Sequence, residues 1–143
     1  MQCRRKGDYL VVRLEPGDEV HTSLLEAARA SALRQGIVIS GIGQLDTVTL
    51  GFFVGPGEGY SHSTFTGAAE VLALAGNVCE KDGELMAHLH AVLGRDDYSV
   101  FGGHLVSGQV SATLEVLVLA VPDDIKLSRR MEHPSGLAGL FIE

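Results

Sequence analysis

Two imidazoles one residue apart, His88-Leu89-His90, and a third at His104 behind Gly102-Gly103, are the side chains best suited to chemistry in this chain. In an extended strand, residues two apart project from the same face, so His88 and His90 point together. Zinc accepts neutral imidazole nitrogens in tetrahedral geometry, and His104 would complete a set of three. The two glycines before it carry no side chain that could block a turn aiming His104 at the pair. Three protein ligands leave a fourth position for water, a substrate, or a carboxylate such as Glu70 or Glu115. An open position is what catalytic zinc sites keep. The plainer alternative is that His88 and His90 line a groove or a subunit interface and only form hydrogen bonds, with His104 capping a turn.

Glu70 and Glu115 draw attention because each interrupts an apolar run, residues 68–78 and 111–121. A buried carboxylate needs a cation, a metal or hydrogen bonds. Each is therefore a candidate metal ligand, a general base toward metal-bound water, or an ion-pair partner of Arg95, Arg129 or Arg130. His21 is expected to be exposed in the first turn of a helix, and His62 and His133 to lie on the surface. Other chemistries find little footing. No Gly-x-Ser-x-Gly elbow occurs, neither cysteine is placed beside a histidine, and Gly41-x-Gly43 lacks the third glycine and the following helix of a nucleotide loop.

The elements that must position these residues are mostly strands. Residues 1–7 form a basic lead-in, and residues 8–143 are expected to be a single domain. Tyr9 to Leu14 is β-branched and apolar, as a strand requires. Asp18 is placed to cap the next helix, in which Leu24, Ala27, Ala28, Ser31 and Ala32 recur on one face, and Gly36 is placed to end it. A short strand running into a turn at Gly41-Ile42-Gly43, a second strand over residues 45–54, and a loop at Gly55-Pro56-Gly57 follow. Residues 60–66 suit an edge strand. Residues 68–78 are apolar on both alternating faces, which predicts a central strand covered on both sides. After a hairpin turn at Glu80 to Glu84, residues 85–93 alternate: Leu85, Ala87, Leu89, Ala91 and Leu93 face the core, and Met86, His88, His90 and Val92 the other side. Residues 98–105 and 111–121 make further strands, and the tail ends in a short closing one. A single amphipathic helix is scarcely enough to cover a sheet of this size, so the subunits are expected to cover one another.

Composition agrees with a globular chain: 45% hydrophobic and 20% charged residues over 143 positions exclude a disordered segment. No apolar run approaches the length of a membrane helix, the first residues lack a signal core, and two unpaired cysteines suit a reducing compartment, so a cytoplasmic location is expected. The net charge of −7 opposes tight, unaided binding to a phosphate backbone.

The stretch Glu70 to Val78 (Glu-Val-Leu-Ala-Leu-Ala-Gly-Asn-Val), His88-Leu-His90, Phe101-Gly-Gly-His104-Leu-Val-Ser-Gly-Gln-Val110, and Thr113-Leu-Glu115-Val resemble, in order and spacing, the plant and prokaryote conserved (PPC) domain. The resemblance spans the chain from about Tyr9 onward. It implies an α/β (α+β) fold with a mainly antiparallel β-sheet and one principal helix, assembling as a homotrimer, with a zinc site at His88, His90 and His104. It also brings a DNA-binding label, which in plant relatives goes with AT-hook motifs in front of the domain. Gln2-Cys3-Arg4-Arg5-Lys6-Gly7 has no Arg-Gly-Arg-Pro core to enter an A·T minor groove. The expected function is therefore a trimeric zinc-binding module for binding or assembly, with DNA association at most indirect. The alternative is a zinc-dependent enzyme acting on a small substrate through a metal-activated water, with Glu115 or Glu70 taking the proton.

Overall fold

The computed structural model describes residues 1–132 and 136–143. His133, Pro134 and Ser135, the first of them expected on the surface, lie outside the described residues. The elements in chain order are β1 (Gln2–Lys6), β2 (Tyr9–Leu14), α1 (Val20–Ala30), β3 (Gly36–Gly55), β4 (Gly59–Lys81), β5 (Glu84–Gly94), β6 (Val100–Ala120), β7 (Leu127–Glu132) and β8 (Leu137–Ile142). The sheet is antiparallel apart from the β4–β7 pair. β3 pairs with both β4 and β6, and β5 pairs with the same two strands, so four strands close on themselves.

The closure leaves one gap. Along one side of β6, β5 accompanies residues 100–104 and β2 accompanies residues 114–119, with neither strand between them. The chain just before α1 fills the interval: Gly17 N–H donates to Val110 O at 2.8 Å, Val110 N–H to Asp18 O at 2.9 Å, and Gly108 N–H to Glu19 Oε1 at 3.3 Å. α1 then packs against β2, β5 and β6. Its Val20, Leu24, Ala27 and Ala28 are fully buried in one cluster with Leu10, Leu14, Leu89, Leu93, Leu105 and Leu114. Each fully buried leucine or valine contributes on the order of 1.5–3 kcal/mol. The helix is therefore the plug of the core.

Several expectations change. The N-cap is Glu19, whose carboxylate accepts from Thr22 N–H at 2.8 Å, while Asp18 accepts from Glu15 N–H at 2.9 Å and closes the preceding turn. The helix ends at Ser31, before Gly36, with Ala32 at φ 51°. Arg5 of β1 donates to Ser31 O at 3.1 Å and Ala32 O at 2.7 Å, satisfying carbonyls that the helix leaves open. The basic lead-in is thus an edge strand with a capping residue. No turn forms at Gly43: β3 runs through it as one strand, and a Cβ there would meet Thr113 O at 2.0 Å. This glycine permits close approach of β6 instead of reversing the chain. β4 and β6 are likewise continuous where breaks were expected.

Burial of β4 on both faces is not found within the chain. Ala69, Val71, Leu74 and Val78 point inward, and Ala68, Leu72, Ala73 and Ala75 are exposed. With Phe52 (74% exposed), Val92 and Val100 (60%), they belong to the large apolar surface left outside the core.

Gln35 holds the crossover that brings β7 beside β4. Its amide N–H₂ donates to Pro122 O at 3.0 Å and to Ile125 O, and its Oε1 accepts from Leu127 N–H at 2.8 Å. Gln35→Leu strands these buried backbone groups. It is expected to cost about 2–3 kcal/mol in urea unfolding, and a change below about 0.5 kcal/mol would show that the crossover is held by other contacts.

Candidate metal centre

The alternation read in β5 holds: Ala87, Leu89, Ala91 and Leu93 are buried, and His88 and His90 share the opposite face. His104 arrives on the neighbouring strand as the direct cross-strand partner of His90. It does so without a turn. Gly102 and Gly103 are strand residues, and a Cβ on Gly102 would meet Ala91 O at 2.4 Å. The glycines let β6 lie close to β5, and register brings His104 to the pair.

The three rings have centroid separations of 4.9 Å (His88–His104), 5.1 Å (His88–His90) and 5.4 Å (His90–His104). One nitrogen from each lies within 4.8 Å of the other two. His104 Nδ1 is buried with no hydrogen-bond partner, a costly state for a polar atom. The donor set fits a metal that prefers imidazole, since burial, followed by Arg129 and the other imidazoles, lowers the His88 pKa to about 4. Burial and then His90 lower that of His104 as well. Both are neutral, the ligating form, at physiological pH.

The sign of the resulting pH dependence follows. His88 binds its proton less readily in the folded chain than in the unfolded one, so metal-free protein keeps this stability above about pH 6.5 and loses it as pH falls toward about 4. His88→Gln is expected to flatten that stretch of a metal-free stability-versus-pH curve; an unchanged slope would assign it to other groups.

Around the triad stand residues that spacing did not single out. Arg129, 9% exposed, donates through Nη2 to His88 Nδ1, through Nε and Nη2 to Asn77 Oδ1 (both 3.3 Å), and through Nη1 to Ala138 O at 2.7 Å. Tyr60 packs its ring 5.1 Å from that of His104 and stacks on His62. His62 is exposed, as expected, but beside the site. His21 is not the exposed residue expected: its Nδ1 is buried, and Glu19 Oε1 lies 3.7 Å away. Burial raises the Glu19 pKa, but the nearby His21 ring and hydrogen bonds from the Thr22 and Gly108 N–H groups outweigh it and hold the carboxyl at about 2. Asn77, a lone amide in an apolar strand, was a readable signal; Arg129 was not.

The candidate carboxylates lie elsewhere. Glu70 is exposed and accepts from the Gln44 amide at 3.1 Å. Glu115 is exposed, opposite Arg13 and Ile42, eleven positions from His104 along β6, or roughly 35 Å of extended strand. Neither is in the histidine cluster. Nor does either meet the proposed arginines: Arg95 lies over Phe101 and Arg130 pairs with Glu143.

A model of the Plants and Prokaryotes Conserved domain matches residues 1–122. The chain belongs to this family. The PPC fold is also that of a plant- and prokaryote-conserved protein from Pyrococcus horikoshii, at 31% identity and TM-score 0.82, covering 96% of this chain and 91% of that one. A metal-containing protein from Archaeoglobus fulgidus superposes with TM-score 0.85 at 27% identity, covering 94% of each chain. A Bacteroides thetaiotaomicron protein bearing a provisional DNA-binding name does so with TM-score 0.88 at 27% identity, covering 98% of this chain and 96% of that one. Among curated proteins, the bifunctional protein GlmU of a Synechococcus strain is 33% identical over 132 residues, 92% of this chain. The chain spans about a fifth of the length of such relatives (20%). Among the described residues of this PPC domain, no helix is long and apolar enough to cross a membrane.

Proposed function

We propose that this PPC domain binds zinc through His88, His90 and His104 and works as a homotrimeric module for binding or assembly. The observation that carries the reading is the convergence of three imidazoles from two paired strands, with one nitrogen of each within 4.8 Å of the others. Three ligands on zinc leave a fourth position for an exogenous group. The metal-containing Archaeoglobus relative supports a metal in this fold. The exposed apolar residues on the outer faces of β3, β4, β5 and β6 support an assembly that covers them. A matched segment that is a fifth of a larger bifunctional protein supports the role of a module.

The DNA-binding name of the Bacteroides relative transfers poorly to this chain. The net charge is −7, Arg129 is buried, and Arg130 is paired with Glu143. An enzyme using metal-bound water would need a proton acceptor beside the metal, and Glu70 and Glu115 stand away from the triad. The module is therefore preferred.

The test is metal analysis of protein purified without chelator, with light scattering for mass. About one zinc per chain and a mass of three chains are expected, with zinc lost in His88→Ala. Protein that neither carries nor takes up stoichiometric zinc would overturn the metal reading, and a monomer at micromolar concentration would overturn the assembly.

A further inference from the structure

Arg129 is a buried cation without an anion. Its side chain is 9% exposed, and its acceptors are an amide oxygen, a backbone carbonyl and an imidazole nitrogen, all neutral. Among the described residues no carboxylate lies within ion-pair distance of it. A buried guanidinium loses much of its hydration, and hydrogen bonds to neutral groups do not replace a counter-charge.

The chemistry of imidazole sharpens the point. Arginine only donates, so its contact with His88 requires Nδ1 to act as acceptor. A neutral imidazole has one acceptor nitrogen and one N–H. When the acceptor nitrogen is given to a metal, the other is an N–H and nothing remains to accept from Arg129. Loading the triad would therefore turn an Arg129 N–H loose beside a dication, while Asn77 and Ala138 O hold the guanidinium in place. Both changes call for the same ligand, a negatively charged oxygen.

We propose that Arg129 and the metal-loaded triad together form a subsite for an oxyanion, the carboxylate or phosphate group of a small ligand. The anion occupies the fourth position left by the three imidazoles and accepts from the Arg129 guanidinium. This rests on the metal reading above and names the ligand class of that site. Arg129 lies on the β7–β8 hairpin, beyond the residues 1–122 that the family model matches. Anion recognition is thus attached to the triad by the C-terminal hairpin of this chain.

The experiment is calorimetric titration of zinc-loaded protein, in low-chloride buffer, with sodium phosphate and separately with sodium acetate, on wild type, Arg129→Met and Arg129→Lys. Zinc content is measured on every sample. Wild type is expected to bind at least one of the two anions at one site per chain, and the stronger arm tells phosphate from carboxylate. Arg129→Met is expected to keep its zinc and weaken that binding roughly ten- to a hundredfold, as loss of a charge-assisted hydrogen bond does. Arg129→Lys is expected to recover part of it. Folded, zinc-loaded wild type that binds neither anion at 10 mM or below (~10 mM, a weak-binding limit) overturns the subsite whether or not the Arg129→Met chain folds. Equal affinity in Arg129→Met and wild type also overturns it. Failure of the triad to hold zinc would be seen first in the zinc content, independently of the anion titrations.

Discussion

His104→Ala is expected to leave a folded protein with no stoichiometric zinc and more than about a hundredfold weaker affinity for added zinc. Loss of groups that merely orient a ligand already costs about 10–100-fold, and His104 is a proposed ligand itself. It is the sole member of the triad supplied by β6, so the remaining pair on β5 cannot bridge strands. The thermal readout is distinct. With free zinc at a hundred times its dissociation constant, wild type should gain about 2.7 kcal/mol, a rise in midpoint of several degrees for a chain of this size. Stripping the metal with a chelator should reverse that gain. His104→Ala should show no zinc-dependent rise, and a rise equal to that of wild type would mean that the metal sits elsewhere.

Gly76→Ala is expected to be the most damaging single-atom change near the site. Gly76 faces Leu89, between His88 and His90, and a Cβ there would lie 1.9 Å from His88 O and 2.9 Å from His88 C. The obstacle is backbone, which cannot rotate aside as a side chain can. β4 and β5 must separate where the two ligands are anchored. A cost of about 3 kcal/mol or more is expected, at the upper end for overpacking, visible as a drop of roughly 10 °C in calorimetry. Zinc affinity should fall with it although no ligand is removed. A variant within about 2 °C of wild type, with unchanged zinc affinity, would show that the strands yield more easily than their packing indicates.

The strand-rich fold and the shared face of His88 and His90 were legible because period-two alternation is local. Leu89 between two imidazoles declares which side is core. Alternation also places Glu70 outward, between inward-facing Ala69 and Val71, and Glu115 outward, between buried Leu114 and Val116. Their adjacent apolar residues suggested burial, but those residues face the core, and the carboxylates share the other face with exposed Ala68 and Leu72 and half-buried Thr113 and Leu117. Glycine was the ambiguous letter. At Gly43 and Gly102 it signals close approach of a neighbouring strand, and a turn looks the same when the neighbour is unknown. Arg129 was hidden for a stronger reason. Its place beside His88 depends on the parallel pairing of β7 with β4, set by Glu80–Ser128 and Lys81–Arg129, and no local pattern encodes a contact across that separation.

The self-closing sheet also bears on edge-to-edge pairing between copies of the chain. Strands whose rims are occupied cannot recruit a further chain, and the closure of β3 to β6 hides most rims, leaving β1 and β8 at the ends of the sheet. An open rim is a template for runaway strand addition unless it is short or charged. β1 is five residues long and exposed along its length, and it carries Arg4, Arg5 and Lys6 in succession. A second copy approaching rim to rim would bring like charges together. The basic segment that invites comparison with nucleic-acid binding thus sets like charge against like at this rim, an arrangement that disfavours strand addition there.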